Sequence, residues 1–151
     1  MTYEIRDFKS SDIKLFNPQS AQCAVSFVNE NVWEDIEKNG MSHTVTKDKE
    51  TIFCGGIIHV WHGRSLVWSI ISDKVRAPEM LYLTREVLKV FKRIQSDPKH
   101  ARLEATTSVV FDAGHRWLHL LGFYPEGIME AYHPISGAHT LYSRVVQNES
   151  S

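Results

Sequence analysis

The chain has 151 residues, 42% hydrophobic and 23% charged, which suits one ordinary globular domain with a single sizeable core. A net charge of -1 with histidine neutral argues against nucleic acid or an acidic membrane as a partner. No apolar run approaches the ~20 residues of a membrane span, and the opening Met1-Thr-Tyr-Glu-Ile-Arg-Asp7 lacks the apolar stretch of a signal peptide, so a cytoplasmic protein is expected.

Tyr3-Glu-Ile-Arg-Asp-Phe8 alternates apolar and polar residues and reads as a first strand. Ser10 and Ser11 can cap a short helix from Asp12 to Phe16, which Pro18 ends. A longer helix is expected from about Ser20 to Lys38, with Ala21, Val25, Val28, Val32 and Ile36 at helical spacing and Gly40 as its stop. Three strands in an antiparallel meander follow: His43 to Thr46, Thr51 to Trp61 interrupted at Gly55-Gly56, and Arg64 to Ser72, with turns at Asp48-Lys49 and His62-Gly63. The glycine pair lacks the strand-to-helix setting of a nucleotide loop, and marks a bulge or a close approach.

Pro78 suits the first turn of a helix that carries Met80, Leu83, Val87, Phe91 and Ile94 on one face and ends at Asp97-Pro98. Arg102 to Val110 reads as a strand and Ala113 to Leu121 as a helix stopped by Gly122. Phe123 to Tyr132 and His139 to Val146 form a closing hairpin, and Gln147 to Ser151 a polar, frayed tail. No linker or repeat interrupts the pattern, so one domain over 1–146 is expected.

Cys23 and Cys54 lie in unrelated apolar patterns and read as buried free thiols in a reducing compartment. His115 and His119 have a spacing that can ligate zinc, but no third ligand is apparent and no metal is expected. Ser69 and Ser72 lack histidine and aspartate partners of nucleophilic type. The basic residues from Lys89 to Arg102 read as the solvated face and exit of an amphipathic helix, since no aromatic platform is interleaved with them.

The order β-α-α-β-β-β-α-β-α-β-β, the opening Tyr3 to Ile13 and the signature Trp117-Leu-His-Leu-Leu-Gly-Phe123 together resemble the GNAT N-acetyltransferase superfamily over nearly the whole length. The resemblance implies an α+β fold, a mixed twisted sheet of six or seven strands flanked by helices. It also implies a fourth strand that splays from the fifth around Ile71 and Thr107 to admit acetyl-coenzyme A. Carried over, Ile70, Ile71 and Ser72 would face the pantetheine arm, while Lys74, Val75, Arg76 and Ala77 would surround the pyrophosphate. The acceptor would be an amine on a protein or small molecule, with Asp112 or a histidine such as His119 handling protons.

The chain departs from the superfamily pattern at two places. Arg76-Ala-Pro-Glu-Met-Leu81 has no glycine where the phosphate loop needs close backbone approach, and Pro78 has no N–H. Leu118 stands where the acid tyrosine is usual, and Phe111 and Asp112 where an asparagine is common. Val67-Trp-Ser-Ile-Ile-Ser-Asp-Lys-Val75 and Arg116-Trp-Leu also resemble a GNAT-like internal virion protein of short-tailed phages. The alternative expectation is therefore an inactive GNAT-derived virion or assembly component, housed in a phage particle among other virion proteins.

Overall fold

A computed structural model describes residues 2–19 and 30–146. Its strands are β1 (Tyr3–Asp7), β2 (Ser42–Lys47), β3 (Glu50–Trp61), β4 (Arg64–Ile71), β5 (Arg102–Ser108), β6 (Tyr124–His133) and β7 (Gly137–Val145). Its helices are α1 (Glu30–Lys38), α2 (Ala77–Ile94) and α3 (Asp112–Leu120), with 3-10 turns at Ser10–Leu15 and Pro98–His100. The seven strands form one mixed sheet in the order β1-β2-β3-β4-β5-β7-β6, the α+β sheet anticipated from the sequence. Pairing is antiparallel for β1 with β2, β2 with β3, β5 with β7 and β6 with β7, and parallel for β4 with β5.

Turn chemistry places the boundaries. Asp48 and Lys49 both have positive φ, at 49° and 69°, as the tight β2–β3 turn requires. Gly40 ends α1 at φ 68° and Gly122 follows α3 at φ 86°. The segment expected as a short α-helix over 12–16 is a 3-10 turn instead. There the Asp12 carboxylate accepts from Lys9 N at 2.9 Å, and Asp12 N donates to Lys9 O at 2.8 Å, closing the tighter ring. β3 runs unbroken through Gly55 and Gly56. The reason for glycine is proximity: a Cβ on Gly56 would lie 2.5 Å from Ser42 Cα, and one on Gly55 2.9 Å from Trp68 O. Of the long helix expected over 20–38, Glu30–Lys38 is helical; positions 20–29, with Cys23, and the tail 147–151 lie outside the described residues.

The chain packs as two compact units, one comprising Met1–Ile58 and Val67–Arg76, the other His59–Leu66 and Ala77–Ser151. The first is centred on Phe8, Trp33, Ile36, Cys54 and Ile70, with Ile13, Phe16, Ile58 and Trp68 packed against them. The Trp68 ring lies 5.2 Å from both Phe8 and Trp33, at steep interplanar angles that suit the ring quadrupoles. In the second, Leu83, Phe91, Leu103, Leu118, Leu121 and Phe123 are buried, and Phe91 meets Phe123 edge-on at 5.6 Å. The Leu121-Gly122-Phe123 signature thus closes a core: φ at Gly122 reverses the chain so that Phe123 points inward, 1% exposed.

Candidate functional site

In the first unit, β4 leads into the segment 72–76 that precedes α2. Ile70, Ile71 and Ser72 are buried, as is Val75, whereas Lys74, Arg76 and Ala77 are exposed. The amides of this segment already have acceptors. Ser72 N donates to Ile52 O at 2.9 Å, Asp73 N to Asn17 O at 2.8 Å, Lys74 N to Ser72 Oγ at 3.2 Å and Val75 N to Ser72 O at 3.1 Å. The Arg76 guanidinium turns back onto Asp73 O at 2.8 Å and Val75 O at 3.0 Å. The Lys74 ammonium pairs with Glu50 at 2.8 Å, which raises its pKa through that hydrogen bond. Ile71 O accepts from Gln19 N at 2.9 Å, and Ser72 bridges to Pro18. Glu79, in the first turn of α2, is 8% exposed.

A backbone that cradles phosphate normally offers several uncommitted N–H groups at a helix start. The four amides from Ser72 to Val75, just before α2, are bonded within the chain, so of the residues expected to face the pyrophosphate Lys74 and Val75 would have to exchange a backbone bond to receive it.

In the second unit, α3 begins at Asp112, exposed, and carries His115 and His119 on successive turns. His115 is fixed at both ring nitrogens. Its Nε2 lies 3.1 Å from Ser108 O and 3.2 Å from Val109 O, and its Nδ1 lies 2.6 Å from Tyr142 Oη. A carbonyl can only accept, so Nε2 carries the proton, and in the neutral ring Nδ1 accepts from the tyrosine hydroxyl. The Tyr142 ring, 3% exposed, also meets the edge of His119 at 5.5 Å, and burial raises its pKa. Ser108 Oγ, buried beside this group, has no hydrogen-bond partner among the described residues. Asp112 and His119, the residues picked from sequence for proton handling, lie at the exposed surface of α3. The residues brought together instead are His115 and Tyr142, 27 apart in the chain, a spacing no sequence period links.

A second polar cluster in this unit was also missed. Ser65 Oγ lies 2.7 Å from His100 Nδ1 and 3.2 Å from His59 Nδ1. It resembles an activated nucleophile in composition, but Ser65 is fully buried and among the described residues no carboxylate bonds either ring nitrogen. Burial first, and His59 second, holds the His100 pKa below its ordinary value. Beside it Glu104 is gripped by Arg64 at 2.5 Å and Arg102 at 3.4 Å, and Arg102 forks onto Glu126 at 2.6 and 2.8 Å. The Arg102 bond, aided by Ser143, holds Glu126 down to about 2. These are structural ion pairs of a sheet surface.

Among the described residues no group of three or more histidine, cysteine or acidic side chains is placed to hold a metal, and no helix is long and apolar enough to cross a membrane. Burial pushes the Cys54 thiol up to about 12, which leaves it a core side chain without thiolate chemistry at neutral pH.

No protein-family model matches the chain. No curated protein matches it by sequence. Solved structures do. An acetyltransferase of the GNAT family from Streptococcus pneumoniae superimposes with a TM-score of 0.72 at 13% identity, covering 97% of this chain and 100% of that one. The NatC complex bound to Gag peptide and CoA contains a chain that matches with a TM-score of 0.76 at 12% identity, over 97% and 100%. The ribosomal-protein-S18-alanine N-acetyltransferase of Escherichia coli gives 0.68 at 15% identity, over 99% of both chains. Together with the strand order, these likenesses establish the GNAT fold; at such identities they carry the fold alone.

Proposed function

We propose that this chain is an acetyl-coenzyme A-dependent N-acetyltransferase acting on an amine of a protein or small molecule. The observation that carries the proposal is the full-length likeness to N-acetyltransferases, one of them bound to CoA. The residues of one domain over 1–146 would divide the work. Backbone at Ile70, Ile71 and Ser72 would receive the pantetheine arm, and Lys74, Val75, Arg76 and Ala77 the phosphates, with Arg76 and Lys74 supplying positive charge.

The amine nitrogen attacks the thioester carbonyl; a C–N bond forms and the C–S bond breaks. The surplus ammonium proton goes to Asp112 or His119, and the departing thiolate takes a proton. Leu118 cannot provide it. Tyr142 is the better donor: its hydroxyl proton, now directed at His115 Nδ1 at 2.6 Å, would pass to the thiolate and be replaced from solvent.

Two measurements test this. Calorimetric titration with acetyl-coenzyme A should give saturable heat, and free thiol should appear when an amine acceptor is added. Tyr142→Phe should lower kcat by about 10²-fold, the lower end for loss of a positioned acid, with acetyl-coenzyme A binding retained. Absence of binding heat at high concentration would end the proposal. Unchanged kcat in Tyr142→Phe would remove Tyr142 alone.

One set of observations favours a second reading, a GNAT-fold protein without transfer activity that serves as a phage internal virion or assembly component. The amides from Ser72 to Val75 are already bonded. In addition β6, at one end of the sheet, exposes Tyr124, Ile128 and Tyr132, as a surface for another protein would. Detection of the chain in purified particles, with no binding of acetyl-coenzyme A, would favour this reading.

A further inference from the structure

In the second unit a half-buried cation, Arg144, has no counter-charge among the described residues. Arg144, half-buried on β7, donates from Nε to Leu121 O at 3.0 Å and from Nη1 to Gln95 Oε1, and its guanidinium faces the Phe91 ring at 5.6 Å. All three partners are neutral. Burial lowers its pKa, with no acidic neighbour acting in the other direction. Its two bonds strap the ends of α2 and α3 together, which accounts for part of the side chain. A guanidinium has five N–H donors, and this strap uses only two of them.

The remaining face of Arg144 lines a cavity of about 420 Å³ together with Lys92, Ser96, Gly122, Val145 and Val146. Among the described residues the cavity wall holds two cations and no acidic side chain. Lys92 has no ion-pair partner among the described residues. Three of the last four carbonyls of α2 are bonded within the chain. Phe91 O accepts from Gln95 N, Arg93 O from Ser96 N and Ser96 Oγ, and Ile94 O from Asp97 N. Gly122 is part of the construction, since a Cβ there would stand 3.2 Å from Arg144 Nε. Buried cations are ordinarily matched by an anion or shift towards neutrality, and arginine does not give up its proton at physiological pH.

We propose that this cavity binds a small oxyanion of the phosphate class, gripped by the free N–H groups of Arg144 and by the Lys92 ammonium. The planar fork suits two oxygens of a phosphate, and a second cation suits a dianion. The cavity is larger than phosphate alone, so a phosphomonoester whose organic part lies against Val145 and Val146 is the natural ligand class.

Inorganic phosphate is the first probe, titrated into the whole chain at constant ionic strength with chloride as balance. Thermal unfolding should show a saturable rise in Tm, and the Arg144 Nε–H resonance should move with the same midpoint. Lys92→Gln, an exposed and fold-neutral change, should weaken binding about tenfold, the loss of one charge-assisted contact. Arg144→Gln should abolish it; should that variant fail to fold, Lys92→Gln still decides. A linear, non-saturating response, or one unchanged in Lys92→Gln, would mean a general salt effect and overturn the proposal. Phosphate binding that appears only after removal of residues 147–151 would also overturn it, since the chain's own tail would then be the occupant.

Discussion

Asp12 in the first unit is withdrawn from water and Arg144 in the second is half-buried, and their surroundings differ in kind. Asp12, 2% exposed, has every side-chain acceptor engaged: Arg6 forks onto it at 2.7 and 2.8 Å, Lys9 N reaches it at 2.9 Å and Thr44 Oγ1 at 2.7 Å. Among the described residues Arg144 meets only neutral acceptors, and it lines a cavity. A charge with all its partners inside the chain holds the fold together and has nothing left to offer a ligand. A charge held in place by neutral groups is positioned without being neutralised, and that is the state a binding group needs.

The largest expected effect is on the satisfied side. Asp12→Ala removes a bidentate ion pair and two further hydrogen bonds, and leaves the fully buried Thr44 hydroxyl with only the weak contact to Cys54 Sγ at 3.6 Å. We expect a loss of about 2–4 kcal/mol, read as a lower denaturant midpoint with unchanged slope. Burial alone would raise the Asp12 pKa, but the bonds from Arg6, Lys9 and Thr44 outweigh it, and the net shift is downward. A depressed carboxylate pKa contributes stability that is complete above the unfolded value, near 4, and lost as pH falls through the folded one. The acid limb of the wild-type stability curve should therefore be steeper than that of Asp12→Ala. Equal limbs would show that Asp12 is not the charge that matters there.

Gly122→Ala tests the other side. The substituted residue must hold φ 86° and crowd Arg144 Nε, so a loss of about 1–2 kcal/mol is expected. The same variant should weaken phosphate binding, because it pushes the guanidinium that lines the cavity. Loss of stability with unaltered phosphate affinity would separate the strap from the anion site.

The elements were legible in the sequence because local chemistry decides them. Alternation in Tyr3 to Phe8, glycine after Leu121 and proline at 78 each fix one boundary through contacts a few residues long. Asp48-Lys49 was legible as a turn for the same reason. The sites were not legible, because their partners are remote. His115 finds Tyr142 across 27 positions, Ser65 finds His100 across 35, and Arg144 finds Gln95 across 49. The missing glycines between Arg76 and Leu81 were readable, but not the fate of the amides before them. That depends on Asn17 and Ile52 carbonyls, which only the folded chain presents.

Ser65 offers a third way of burying polarity, with no ion at all, and gives the smallest expected effect. Its hydroxyl has one proton for two histidine nitrogens, so it donates to one Nδ1 and accepts from the other. Ser65→Ala breaks both bonds and leaves the buried His100 nitrogen unmatched, at a cost of about 1 kcal/mol. The charged neighbours of His100 pull in opposite directions, Asp97 upwards and Lys99 with His59 downwards, and burial decides the sign. A histidine whose folded pKa is depressed takes up fewer protons than the unfolded chain below about pH 6.5. Stability is then complete above that pH and declines as pH falls towards the folded value. His100→Asn should flatten this decline below about pH 6.5. A decline of undiminished slope in that variant would mean that another histidine sets it, and that the neutral cluster is as inert to pH as Asp12 is above 4.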